Sequence, residues 1–133
     1  MGAYVVSQLI KAMIKKSIQI EGARVLVMGL AFKESCPDLR NTRVVDIVSE
    51  LKQYNIAVEV YDPWVSVTEA EHEYGITPNP QPSAGSYDAM ILAVAYAEFK
   101  ELGPERIRAF GKADSVIYDL KYLLPADAAD LRL

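Results

Sequence analysis

Arg24-Val-Leu-Val-Met-Gly-Leu-Ala-Phe-Lys-Glu-Ser-Cys-Pro-Asp-Leu-Arg-Asn-Thr-Arg43 decides the fold. Val25 to Met28 run without a polar break, stop at Gly29, and give way to a polar stretch. A helical pattern begins at about Thr42. A short apolar run closed by Gly predicts a strand buried on both faces, as parallel sheets require. In open α/β sheets, ligands sit in the crevice outside the carboxyl ends of the strands. Lys33, Asp38, Arg40 and Arg43 fall in or just after the loop that this strand feeds. Cations beside a helix N-terminus suit an anionic ligand, because free N–H groups and the helix dipole also favour negative charge there. Gly29 is alone, without the second and third glycines of a dinucleotide fingerprint. The residues by themselves leave two readings open: an anion site, or a tight strand exit followed by solvated loop charges.

Upstream, Val5, Val6, Leu9, Ile10, Met13, Ile14 and Ile18 recur at spacings of three and four, which predicts an amphipathic helix over 3–20. It opens without a cap, so a segment preceding it is expected. Gly22 is read as its C′ residue. Downstream, Val44, Val45, Ile47, Val48 and Leu51 form the stripe of a helix over 42–54, capped by Asn41 or Thr42. A second strand is expected at 57–61, closed by Asp62-Pro63; an acid there can bind a ribose in dinucleotide folds, but with the Gly-rich turn missing Asp62 is read first as a turn residue. Trp64 beside it suits packing over the strand end or stacking on a base. A short acidic helix over 66–74 holds His72, the only histidine, between Glu71 and Glu73. A surface role follows for His72, and no second His or Cys stands near enough in type to complete a metal site.

The proline-rich stretch 76–86 predicts a rigid loop with a short edge strand at Ile76-Thr77. A fourth strand is expected at 87–95, short helices at 96–102 and 104–110, and a fifth strand at 115–118. The tail 125–133 is expected to fray. Strands alternating with helices predict an α/β fold, a three-layer Rossmann-like open parallel sheet of order near 3-2-1-4-5. That order makes the first strand central and opens its loop at the switch point.

The chain has 133 residues, enough for one domain with a single core. Apolar residues make up 51% and charged ones 24%, a globular composition. A net charge of −4 argues against a nucleic-acid-binding face. The single cysteine, Cys36, excludes an internal disulfide framework and is compatible with a reducing compartment, so a cytoplasmic location is expected. No apolar run approaches the roughly 18–20 residues needed to cross a bilayer, so no membrane role is expected.

Gly29-Leu-Ala-Phe-Lys33, then Pro37-Asp38-Leu-Arg40-Asn-Thr, then Val58-Glu-Val-Tyr-Asp-Pro63 resembles the C-terminal, UDP-binding domain of the UDP-glucose/GDP-mannose dehydrogenase family. Three motifs stand in the family's order and spacing, over about 1–122. The form Phe-Lys-Glu-Ser-Cys-Pro-Asp-Leu-Arg-Asn-Thr, with Asp-Pro-Trp later, is most similar to the branch that acts on UDP-N-acetylhexosamines. That branch includes the UDP-N-acetylglucosamine and UDP-N-acetylgalactosamine 6-dehydrogenases of Vi-antigen and O-antigen synthesis.

The resemblance implies a division of the chain. Residues 1–21 would be the end of a central helical, dimer-forming region, and 22–133 the UDP-binding domain. It implies NAD as cofactor, held mainly by an N-terminal domain outside this chain, a UDP-sugar substrate, and a homodimer. Phe32 and Lys33 match the pair that contacts the UDP-sugar, Lys33 as a point charge near phosphate or sugar oxygens. Arg40 matches an arginine that reaches NAD across the domain cleft, and Asp38 would orient Arg40 or cap the helix. Lys121 aligns with a basic residue that touches substrate, though the family often has Asp-Gly-Arg where this chain has Asp119-Leu-Lys. The catalytic cysteine lies upstream in the family, and Cys36 falls where its pattern needs none, so no catalytic residue is expected here. A stand-alone nucleotide-binding or regulatory module is the alternative. A receiver-like domain fits poorly, since residues 25–30 carry no acid.

Overall fold

The computed structural model describes residues 2–30, 44–63 and 67–132. Arg24–Met28 forms strand β1, and its last four residues are buried. It is the inner strand that its unbroken apolar run predicts. Helix α1 (Gly2–Lys15) precedes it, and α2 (Val44–Gln53), β2 (Ala57–Tyr61), α3 (Val67–Tyr74), β3 (Tyr87–Leu92), α4 (Ala97–Ala109), β4 (Gly111–Asp119) and β5 (Leu131–Arg132) follow. The sheet has the order β2-β1-β3-β4-β5, with every pairing parallel. The chain leaves β1 toward β2 on one side and reaches β3 on the other. Right-handed crossovers therefore place α2 on one face and the helices after β2 on the opposite face.

The expected succession of first, second, fourth and fifth strands is the one observed, but both edges differ from expectation. Ile76-Thr77 forms no strand. The proline-rich segment instead meets β2 through Asn79, whose N–H donates to the Val60 carbonyl (2.7 Å) and whose Nδ2 donates to the Glu59 carboxyl (2.8 Å). At the other edge the tail, expected to fray, supplies β5. Its register pairs Tyr118 with Leu131 and Asp119 with Arg132. Strand β3 stops at Leu92 rather than Ala95, where the Ala93 N–H turns to the Met28 carbonyl (3.0 Å). Strand β4 begins earlier than expected, at Gly111. Between its pairings Tyr87–Gly111 and Ala89–Val116 the register shifts, and Lys112 to Asp114 bulge into solvent. The two helices expected near 96–110 run on as α4, broken at Gly103, after which Pro104 opens a new first turn.

Helix α1 ends at Lys15, earlier than its periodicity suggests. The Ile18 N–H reaches the Met13 carbonyl (3.0 Å) and the Ser17 N–H the Ile14 carbonyl (2.9 Å). Ser17 takes the left-handed conformation (φ 62°). This is a Schellman closure with Ser17, not Gly22, at C′. Val5, Val6, Leu9 and Met13 of α1 are wholly buried. A Cβ on Gly2 would lie 3.0 Å from Asp46, so α1 and the first turn of α2 are in close approach. Burial of each such apolar side chain is worth about 1.5–3 kcal/mol, which makes α1 part of this core.

Asp130 fastens both ends of the chain. Its carboxyl group accepts from Lys16 Nζ (3.0 Å), Arg108 Nη1 (2.9 Å) and the Ile117 N–H (2.8 Å). Its own N–H donates to the Ile117 carbonyl (2.9 Å). Burial alone would raise this carboxyl, but those three bonds and the Arg108 charge outweigh it and hold the group below the ordinary aspartate value. A depressed folded-state value contributes stability that is present above the unfolded value, near ~3.9, and is lost as pH falls through the folded one. Asp130→Ala is expected to cost about 1–3 kcal/mol at pH 7, the cation bonds being discounted for their half-exposed partners. The difference in urea midpoint between wild type and variant should shrink as pH drops below about 4. A difference constant from pH 7 to 3 would show that the charge of Asp130 contributes nothing.

Candidate functional site

The crevice opens between the carboxyl ends of β1 and β3, where the chain departs to opposite faces. Gly29 leaves β1 with φ 105°. A Cβ there would stand 2.6 Å from Val94 Cβ and 2.7 Å from Val94 Cγ2. Gly29 is therefore needed for conformation and for space together. Its N–H donates to the Tyr61 carbonyl (2.7 Å), which ties the exit of β1 to the end of β2.

Asp62 completes that tie. The β1–β2 register sets Met28 beside Tyr61, so the next residues, Gly29 and Asp62, leave the sheet together. The Asp62 carboxyl is buried, with 6% of the residue exposed. Its Oδ2 accepts from the Leu30 N–H (2.7 Å) and the Tyr96 hydroxyl (3.0 Å). Tyr96 in turn packs edge-on against Phe99, centroids 5.4 Å apart. Asp62 is thus more than a turn residue: it fixes the direction in which the chain leaves β1. An Asp one step beyond the strand that pairs with β1 was the available signal, and the Asp-Pro turn pattern masked it.

A second built turn follows β4. Asp119 is wholly buried. Its Oδ1 accepts the N–H groups of Lys121 and Leu123 (3.1 Å each), and its Oδ2 accepts that of Leu124 (2.8 Å). The Leu120 N–H donates to the Leu92 carbonyl (3.1 Å). Lys121 is held at the carboxyl edge of the sheet with an exposed side chain. Tyr122 beside it is left-handed (φ 55°) and 57% exposed. The Arg132 guanidinium lies 4.2 Å from the Tyr122 ring centroid.

Of the residues expected at the site, Lys121 stands at this edge. Phe32, Lys33, Asp38, Arg40 and Cys36 lie outside the described residues, as does Trp64. The described residues on either side of the 31–43 segment are Leu30, two residues past the end of β1, and Val44, the first residue of α2. His72 is exposed on α3. Among the described residues no group of three or more His, Cys, Asp or Glu could hold a metal ion. A concavity of about 480 Å³ opens at the opposite, amino-terminal edge, lined by Lys16, Gly22, Asp88, Lys112 and Asp114 among others. Its charges are mixed, with Lys112 paired to Asp88 (3.3 Å). Nearby, Glu59 accepts from Arg24, Asn79 (2.8 Å) and Tyr87 (3.0 Å). Burial would raise the Glu59 carboxyl, yet these bonds hold it below its ordinary value. That edge is a structural brace.

Residues 26–126 match the UDP-binding domain of the UDP-glucose/GDP-mannose dehydrogenase family. The chain belongs to this family. All 133 residues align with a UDP-N-acetyl-D-glucosamine 6-dehydrogenase of Pseudomonas aeruginosa at 68% identity, covering 32% of that protein. They align at 54% identity with an enzyme of the same name from Salmonella typhi, covering 31% of it. The chain thus spans about a third of the length of these curated relatives. The structure of UDP-D-ManNAc dehydrogenase from Pyrococcus horikoshii superposes with a TM-score of 0.74 at 25% identity, over 94% of this chain and 28% of that one. Among the described residues, no helix is long and apolar enough to cross a membrane.

Family membership raises the question of where a nicotinamide dinucleotide fits. The described part of the first β–α turn does not suit one. Gly29 is alone there, without the further glycines that let a backbone approach a pyrophosphate, and Val94 packs against it. The acid after β2, which in dinucleotide folds meets a ribose, is turned inward onto Leu30 and Tyr96.

Proposed function

We propose that this chain is the UDP-sugar-binding domain of an NAD-dependent nucleotide-sugar 6-dehydrogenase. The longer enzyme would oxidise the C6 alcohol of a UDP-N-acetylhexosamine, UDP-N-acetylglucosamine first, to a carboxylate for polysaccharide synthesis. The observation that carries this reading is 68% identity, over every residue of the chain, to a protein of that activity. The strand-one motif Gly29-Leu-Ala-Phe-Lys33 and the rigid exit that precedes it are what the reading needs locally.

In this reading Lys33 places its ammonium by the phosphate or sugar oxygens, and Phe32 supplies an apolar wall and backbone contacts. Arg40 presents a planar guanidinium suited to a bidentate contact with the cofactor's pyrophosphate or amide. Lys121 adds a cation from the end of β4. NAD, held mainly by a domain outside this chain, would supply the oxidant for both two-electron steps from alcohol to carboxylate, and Arg40 is the residue of this chain that would reach it. The catalytic thiolate also lies outside, so the chain alone is inactive. Helix α1, with Tyr4 and Ile14 exposed (58% and 59%), would be the last part of the central, dimer-forming region. In this reading the enzyme works in the cytoplasm as a homodimer.

Lys33→Ala is the test. A charge-assisted contact to phosphate is worth about 1.5–3 kcal/mol, so the dissociation constant for UDP should rise roughly 10- to 100-fold, read by titration calorimetry on this chain. The KM for UDP-N-acetylglucosamine should rise similarly in the full-length enzyme. An unchanged KM there would overturn the assignment of Lys33.

A further inference from the structure

Tyr122 and Arg132 meet at the carboxyl edge by construction rather than by chance contact. The Asp119 carboxyl binds the N–H groups of Lys121, Leu123 and Leu124 and so holds the turn on both sides of Tyr122. The path it imposes puts Tyr122 at φ 55°, a conformation that a bulky residue adopts only at a cost. The ring gains no burial in return; the residue is 57% exposed, while its neighbour Leu124 is buried. Arg132 arrives from a separate strand. Its pairing with Asp119 fixes its height along the sheet, and Asp130, two residues earlier, is clamped by Lys16, Arg108 and Ile117. A guanidinium stacked on an aromatic ring keeps its in-plane N–H donors for oxygen acceptors. Lys121 adds a second cation on the same turn. An exposed, strained aromatic carrying an arginine, at the edge where α/β sheets bind ligands, is poorly accounted for by stability alone.

We infer that Arg132, seated on Tyr122, is a further contact for a diphosphate oxyanion of the nucleotide sugar. This rests on the reading that the chain binds such a ligand. Strands lie about 4.8 Å apart, so β5 stands roughly 14 Å from β1 across β3 and β4. A ligand that touches both the β1 exit and Arg132 lies extended across the sheet edge. A nucleoside diphosphate sugar has that shape; a single phosphate does not. Arg132 would set where along the edge the diphosphate comes to rest, and Tyr122 would hold the guanidinium flat for it.

The experiment titrates UDP, inorganic pyrophosphate and uridine into the 133-residue chain, following the Arg132 side-chain N–H and backbone amides by NMR up to millimolar ligand. Arg132→Ala should weaken UDP and pyrophosphate roughly 10-fold or more, leave uridine unchanged, and keep the backbone spectrum of the wild type. Arg132→Lys should recover part of the loss, and Tyr122→Ala should weaken UDP less than Arg132→Ala. Equal affinity for UDP in wild type and Arg132→Ala, or Arg132 signals unmoved at saturating UDP, would overturn the inference, as would absence of any UDP binding. Equal loss of uridine and UDP would also overturn it, because the platform would then be reading the base. The Lys33→Ala variant separates the two readings. If Lys33 matters and Arg132 does not, the proposed function stands and this contact falls. If pyrophosphate depends on Arg132 while UDP ignores Lys33, the contact stands and the assignment of the site at β1 falls.

Discussion

Gly29→Ala is expected to destabilise the fold by about 3–5 kcal/mol, the sum of a strained left-handed backbone and an overpacked contact. The methyl group would be driven to 2.6 Å from Val94 Cβ, and the nearest atoms are the root of a side chain, which no rotamer change can move. Gly22 supplies the control. It has a similar positive φ, 82°, but nothing lies within 4 Å of its absent Cβ. Gly22→Ala should therefore cost only the backbone term, about 1 kcal/mol. Chemical denaturation of the two variants side by side reads the packing term as the difference between them. Pairing Gly29→Ala with Val94→Gly should recover part of the loss. If Gly29→Ala were no worse than Gly22→Ala, the exit of β1 would have slack, and the argument for a rigid entrance to the 31–43 segment would fail.

Asp119→Ala is expected to cost about 3–5 kcal/mol, because three backbone N–H groups, that of Leu124 buried and the others part-buried, lose their acceptor at once. Asp119→Asn keeps one oxygen of the two and turns an amide toward the other donors, so it should lie between wild type and alanine. Thermal melts rank the three. Since the same carboxyl sets the position of Lys121, UDP affinity should fall along with stability in the alanine variant. A cost under about 1 kcal/mol would mean that water replaces the carboxyl in the turn.

The parts of the fold that could be read in advance are those governed by local pattern. Val25 to Met28 and Ala89 to Leu92 are apolar without interruption because both faces of β1 and β3 are covered, and their order follows from right-handed crossovers. The stripe of α2 behaves likewise. What escaped is set by partners distant in sequence. Asp62 looks like a turn residue until Leu30 and Tyr96, 32 and 34 positions away, are seen to converge on it. Strand β5 has two residues and no β pattern; it exists because Asp130 is caught by Lys16, just past α1, and by α4 and β4. The early end of α1 depends on Ser17 accepting a left-handed conformation, which Ser rarely signals. The position of Lys121 at the carboxyl edge was legible through the family motif. The Tyr122–Arg132 pair was not, since it joins a turn to a strand that only the tertiary fold creates.

The clamp on Asp130 bears on where this domain can be cut. Lys16 lies just past α1, and Asp130 just ahead of β5, so the two extremities of the chain meet in one joint. The stretch that matches the family, 26–126, contains neither α1 nor β5. A protein trimmed to that stretch would lose Val5, Val6, Leu9 and Met13 from its core, along with the latch that closes the ring. The unit of excision is the closed loop, not the span over which sequences align.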